Sequence, residues 1–166
     1  SLFSVHMVQH LLLTVVAAPL LILGEPGLLL LWNAPVQIRV RVGRVLQSGW
    51  ISVIWRTLTT PLIAWTLHVG LLWAWHLPGL YDAALLHPAI HVLEHLCFTL
   101  SALLFWWVAL HRARHRLGTT ILFLFTAALQ CTLLGASITL AHTPWYFVHF
   151  ATTEPWGLTP LEDQQL

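Results

Sequence analysis

Four long apolar runs alternate with shorter segments that hold nearly all of the charge. Leu2–Leu23, Leu58–Leu77 and Gly118–Ala141 contain no formally charged residue, and Pro88–Leu110 contains only Glu94. A helix needs roughly 20 predominantly apolar residues to cross a bilayer. The runs lack barrel alternation, and only helices and closed barrels satisfy their backbone groups in lipid. The pattern predicts an all-α fold: one polytopic transmembrane helix bundle over residues 1–166, with about four spanning helices. Between the first two runs, Val36–Trp55 is apolar and basic. It begins with strand-like alternation, but arginines beside Trp50 and Trp55 predict a helix lying on the membrane surface. Trp73, Trp75, Trp106 and Trp107 fall near span ends, as an interfacial belt does. Ala127, Cys131, Gly135 and Thr139 recur every fourth position and predict a close-packing stripe.

Composition sharpens this picture. Apolar residues make up 58% of the chain and charged residues 8%, against about 25% charged in a soluble domain. So few charges cannot clothe a soluble surface, and no nucleic-acid partner is predicted. Ser1–Gly24 is no secretory signal. It has no basic n-region, and its apolar run exceeds the usual stretch of about 7–15 residues. The chain has no initiator Met and stops abruptly at Leu166, so it reads as a piece of a longer protein. Cys97 and Cys131 sit inside apolar runs and read as small buried apolar residues, not a disulfide framework.

The positions of the charges set an orientation. Arg39, Arg41, Arg44 and Arg56 precede the second run, and Arg112, Arg114 and Arg116 separate the third from the fourth. All lie on one side. Basic loops stay cytoplasmic, which places the N-terminus and the tail from His142 onward outside. Asp82, Glu162 and Asp163 then read as solvated outer loop acids that can also draw cations to an entrance.

Of eleven histidines, only His111 and His115 belong to the inner side. His6 and His10 are four residues apart, as are His91 and His95, so each pair shares a helix face. Counting the helical rise from the outer end gives a shallow tier of His6, His76 and His91 and a deeper tier of His10, His68 and His95. Three imidazoles suit Cu, Zn or Fe. Glu94 lies nearly on the stripe of His91 and His95. An ionisable group at that depth faces the bundle interior or a wet cavity, as a ligand or a partner for a ligand. The candidate metal site is therefore His6, His10, His68, His76, His91, Glu94 and His95, with His10, His76, His91 and His95 foremost. His91-Val-Leu-Glu94-His95 also matches the H-x-x-E-H pattern of a zinc metalloprotease.

Several ordered elements carry a family resemblance. They are His6-Met7-Val8-Gln9-His10, Ala18-Pro19-Leu20-Leu21, Trp75-His76-Leu77-Pro78-Gly79-Leu80-Tyr81-Asp82, His91-Val-Leu-Glu94-His95 with Phe105-Trp106-Trp107, Pro144-Trp145-Tyr146, and Leu161-Glu162-Asp163-Gln164-Gln165-Leu166. Over nearly its whole length the chain resembles the multi-span CtaG family of cytochrome c oxidase assembly proteins. W-H-x-P-x-x-Y-D and L-E-D-Q-Q-L are the most specific elements. One departure is Val108 after Trp107, where the family pattern leads one to expect proline.

The resemblance implies a bacterial plasma-membrane protein, not an enzyme, that matures a haem–copper cytochrome c oxidase. Its partners are then the oxidase subunits and the lipid bilayer, and about three further helices belong to the full protein. The implied step is copper binding or delivery through the outer histidine cluster, with zinc or haem as other cofactors to consider. Three other classes stay open: a haem-binding transmembrane bundle, an intramembrane metalloprotease, and a metal-free scaffold.

Overall fold

The computed structural model describes residues 2–112, 117–146, 153 and 156–165, and of Arg112 the backbone alone. Arg114, His115, Arg116, His149 and Glu154 lie outside the described residues. Among those described there is no strand. The first run forms α1 (Phe3–Leu11), a π-helical segment (Leu12–Ala17) and α2 (Ala18–Gly24). Pro19 explains the π segment, because it lacks an N–H and its ring crowds the carbonyl four residues back. Glu25 then adopts a left-handed conformation (φ 44°) that breaks the helix before α3 (Pro26–Asn33).

The segment expected to be one surface helix is two: α4 (Val36–Leu46) and α5 (Gly49–Leu58). No residue of α3, α4 or α5 is buried in the bundle. The second run gives α6 (Pro61–Trp75), whose 15 residues span about 22 Å at the helical rise, short of a hydrocarbon core of about 30 Å. Prolines set its limits. Pro61 opens it, and Pro78 forces Leu77 into an extended conformation (φ −65°, ψ 132°) that starts α7 (Pro78–Leu86). Asp82 therefore sits on a helix, not in a loop. The third run is α8 (Pro88–Trp107). With no proline after Trp107, it continues through a second π segment, Val108–Arg112. α9 (Leu117–Thr139) is the fourth, and α10 (Pro160–Gln165) follows. Among the described residues, three helical stretches are long and apolar enough to cross a membrane, and Pro61–Trp75 is a shorter apolar one.

Side chains that a soluble protein would hide face outward here: Val5, Leu12, Leu62, Leu100, Ile121 and Phe125 are all more than half exposed. This is the surface of a helical membrane protein, with lipid as solvent. α6 and α8 form the centre, α2 and the first π segment pack on α8, and α9 packs on α6. At one end the core is Ala64, Val69, Phe105, Val108, Phe123 and Ala127. At the other it is Phe3, Tyr81, Leu134, Ile138 and Tyr146.

The tryptophans expected to form a belt include interhelical ties. Trp75 is buried, Trp73 Nε1 donates to Gln130 Oε1 (3.2 Å), and Trp106 Nε1 donates to the Thr14 carbonyl (2.8 Å). An indole N–H away from water needs a partner, and the first π segment supplies one. Trp106→Phe keeps an aromatic ring, though a smaller one, and strands the Thr14 carbonyl. It should lower stability by about 1 kcal/mol, measured by unfolding in detergent.

The L-E-D-Q-Q element holds α1 and α9 together. Thr159 and Glu162 form a capping box that starts α10: the Thr159 N–H and Oγ donate to Glu162 Oε2 (2.7 and 2.8 Å), and the Glu162 N–H donates to Thr159 Oγ (3.2 Å). The backbone and hydroxyl donors of Thr159 hold the Glu162 carboxyl below its usual range. Asp163 is neither solvated nor free for cations. It is fully buried and accepts from Phe3 N (2.7 Å), Ser4 N (3.3 Å) and Ser4 Oγ (2.9 Å), capping α1. Gln164 donates to the Ile138 carbonyl (2.9 Å) and accepts from Trp145 N (2.8 Å).

Candidate metal centre

His6 and His10 project from α1 toward His91 and His95 on α8. Ring centroids are 5.4 Å apart for His6 and His91 and 5.0 Å for His10 and His95. The helical spacing of four brings each pair edge to face on its own helix, with centroids 4.2 Å apart for His6 and His10 and 4.4 Å for His91 and His95. The Nε2 atoms of His91 and His95 approach to 3.0 Å, so one nitrogen donates to the other. Glu94 lies among these rings, 1% exposed. Two overlapping triads result: His6, His91 and Glu94, and His10, Glu94 and His95, each with its ligand atoms within 4.8 Å of one another. Drawing in by on the order of 1 Å would reach the 2.0–2.2 Å bonds typical of nitrogen and carboxylate ligands.

Both Glu94 oxygens and both His10 nitrogens are buried without a hydrogen-bond partner among the described residues. Buried polar atoms are normally paired, because stranding one costs about 1–3 kcal/mol. A shared cation would satisfy these atoms together, so the residues present fit a metal ion. The donors are nitrogen and carboxylate oxygen. The thiols stand elsewhere: Cys97 packs beside the core of Trp75, Ala84 and Phe98, and Cys131 is on α9.

Two of the seven candidates, His68 and His76, lie outside both triads. They are 9% and 7% exposed. Phe98 separates His76 from the cluster, with centroids 4.8 Å from His10 and 6.1 Å from His76. In each tier, Glu94 takes the third place that counting had given to an α6 histidine. His76 Nδ1 donates to its own Leu72 carbonyl (2.7 Å), and His68 Nδ1 meets Ser101 Oγ at 3.1 Å. His87, His111 and His142 are exposed.

Reasoning from the histidines overlooked the tyrosines. Tyr81 is 1% exposed with its ring 5.7 Å from that of His6. Tyr146 stacks on Phe3 at 5.1 Å and donates its hydroxyl to the His76 carbonyl (3.0 Å). Burial pushes both phenols above their usual range, so they act as neutral packing and donor groups. The signal for Tyr81 was in W-H-x-P-x-x-Y-D, whose tyrosine falls on the helix after Pro78, and that for Tyr146 was in Pro144-Trp145-Tyr146.

A family model described as cytochrome c oxidase caa3 assembly factor (Caa3_CtaG) matches residues 1–166. The chain belongs to this family. No curated protein and no solved structure gives a match. The elements that carried the resemblance converge in this Caa3_CtaG chain. His6, His10, His91, Glu94 and His95 form the cluster, Tyr81 packs on His6 with Tyr146 behind it, and Asp163 fixes the helix that presents His6 and His10.

Proposed function

We propose that this chain serves cytochrome c oxidase assembly in a bacterial plasma membrane by holding copper at the His6, His10, His91, Glu94 and His95 cluster and presenting it to the oxidase. The observation that carries this is Glu94: a buried carboxylate with neither oxygen hydrogen-bonded, ringed by imidazoles. A site of nitrogen and oxygen donors without thiolate favours Cu(II), or a histidine-dominated Cu(I) site, over a sulfur relay. The cluster sits at the bundle end away from Arg39, Arg41, Arg44 and Arg56, and by the positive-inside rule that end faces out. His91, His95 and Thr99 also face a shallow depression of about 330 Å³ on the flank of α8, through which ligands can exchange. The role is non-catalytic: the residues bind and release an ion.

The test is copper content after purification in mild detergent. The parent chain should retain stoichiometric copper, and His91→Ala combined with His95→Ala should lose it. Equal copper in both preparations defeats the assignment. The H-x-x-E-H reading separates at Glu94→Gln, which a metalloprotease tolerates in metal binding while losing cleavage, and which a ligand role does not tolerate. A metal-free scaffold would support oxidase assembly in all of these variants.

A further inference from the structure

A cavity of about 600 Å³ lies beside the cluster, walled by α1, α6, α8 and α9. Its lining is mostly apolar, including Leu72, Phe98, Phe105, Leu124 and Ala127, with His10, His68 and His76 among few polar groups. α1 and α9 meet chiefly through α10. Between them the cavity edge is formed by Leu11, Val15, Ala128, Cys131 and Gly135, all exposed. The stripe of small residues on α9 thus borders the mouth of the cavity, and of its members only Ala127 is packed in the core. Size and polarity match sites that take cofactors, which are concave, mostly apolar and furnished with a few placed polar groups.

The tautomers of the two α6 histidines narrow the ligand class. A carbonyl can only accept, so His76 Nδ1 carries the proton it gives to Leu72. Ser101 Oγ donates to the Phe98 carbonyl (3.2 Å) and therefore accepts from His68 Nδ1. In neutral His68 and His76, Nε2 is then a lone-pair donor and not an N–H. Such nitrogens ligate metals and cannot hydrogen-bond to a carbonyl. A bare ion at His68 would find no second ligand from α6, since His76 is eight residues and roughly 12 Å further along. A metal held in an apolar macrocycle needs only the axial nitrogen.

We infer that this cavity binds a haem-class metalloporphyrin, with His68 Nε2 as axial ligand. Phe105, whose ring centroid is 4.9 Å from that of His68, packs beside the ligating ring, and Ser101 fixes its orientation. His68 belongs to neither triad, although His10 of the cluster shares the cavity wall.

The test is titration of the purified full chain in detergent with iron protoporphyrin IX, followed by absorbance. The parent chain should show a saturable Soret shift at one equivalent. His68→Ala should lose that band and bind at least about 10-fold more weakly, a loss of about 1.4 kcal/mol. Millimolar imidazole should restore the band in His68→Ala, showing that the cavity is intact. His91→Ala with His95→Ala should titrate like the parent, while copper content reads the other site separately. No saturable band in the parent overturns the inference. So does a parent-like band in His68→Ala, or a lost band that imidazole does not restore.

Discussion

Glu94→Leu should make the metal-free bundle more stable by about 1–3 kcal/mol while weakening ion binding at least about 100-fold. The two signs have one cause. Glu94 is 1% exposed, and neither of its oxygens is hydrogen-bonded among the described residues. Leucine removes that desolvation cost and fills similar space, as when buried charges elsewhere are replaced by apolar residues. It also removes the one group common to both triads, so neither retains three ligands. Unfolding in detergent without metal checks the first sign, and a copper titration against a competing chelator checks the second. A variant less stable than the parent without metal would mean that the carboxylate is already satisfied.

Asp163→Ala should destabilise the chain by about 3 kcal/mol. Hydrogen bonds to charged acceptors contribute about 1.5–3 kcal/mol each, and Asp163 receives three, two of them from the first backbone amides of α1. Their dipoles add to the preference for an anion there. Phe3 and Asp163 are both buried, so water replaces the lost acceptor poorly. Asp163→Asn keeps one oxygen in place and should lose about half as much. Because α1 presents His6 and His10, copper affinity should fall in the same order: Asp163, then Asn, then Ala. Unfolding midpoints alongside copper titrations measure both. Equal stability in all three proteins would show that the cap contributes nothing.

The helices were legible because uncharged runs of this length have few alternatives in a bilayer. Their limits were less so. Pro61 and Pro78 shorten α6 in a way that hydropathy averages over, whereas the αL break at Glu25 falls where the first apolar run stops, just after Leu23. For the site, spacing gave depth and shared faces correctly for His6 with His10 and for His91 with His95. It could not give the rotation of α6 against its neighbours. His68 and His76 match the cluster in height, yet His68 turns to Ser101 while Phe98 stands between His76 and His10. Asp163 was hidden for another reason. An acid near a chain end looks solvated until a partner 160 residues earlier is known to bond to it.

That separation also sets an order of events during biosynthesis. A ribosome adding about 5–20 residues per second leaves α1 exposed for on the order of 10 s before its anchor has been made. The five ligands of the cluster all precede Cys97, so they emerge long before the aspartate that steadies two of them. On the proposed copper role, loading follows synthesis of Asp163, and cells that stall translation between α9 and α10 should accumulate a membrane-inserted intermediate that retains the ion poorly.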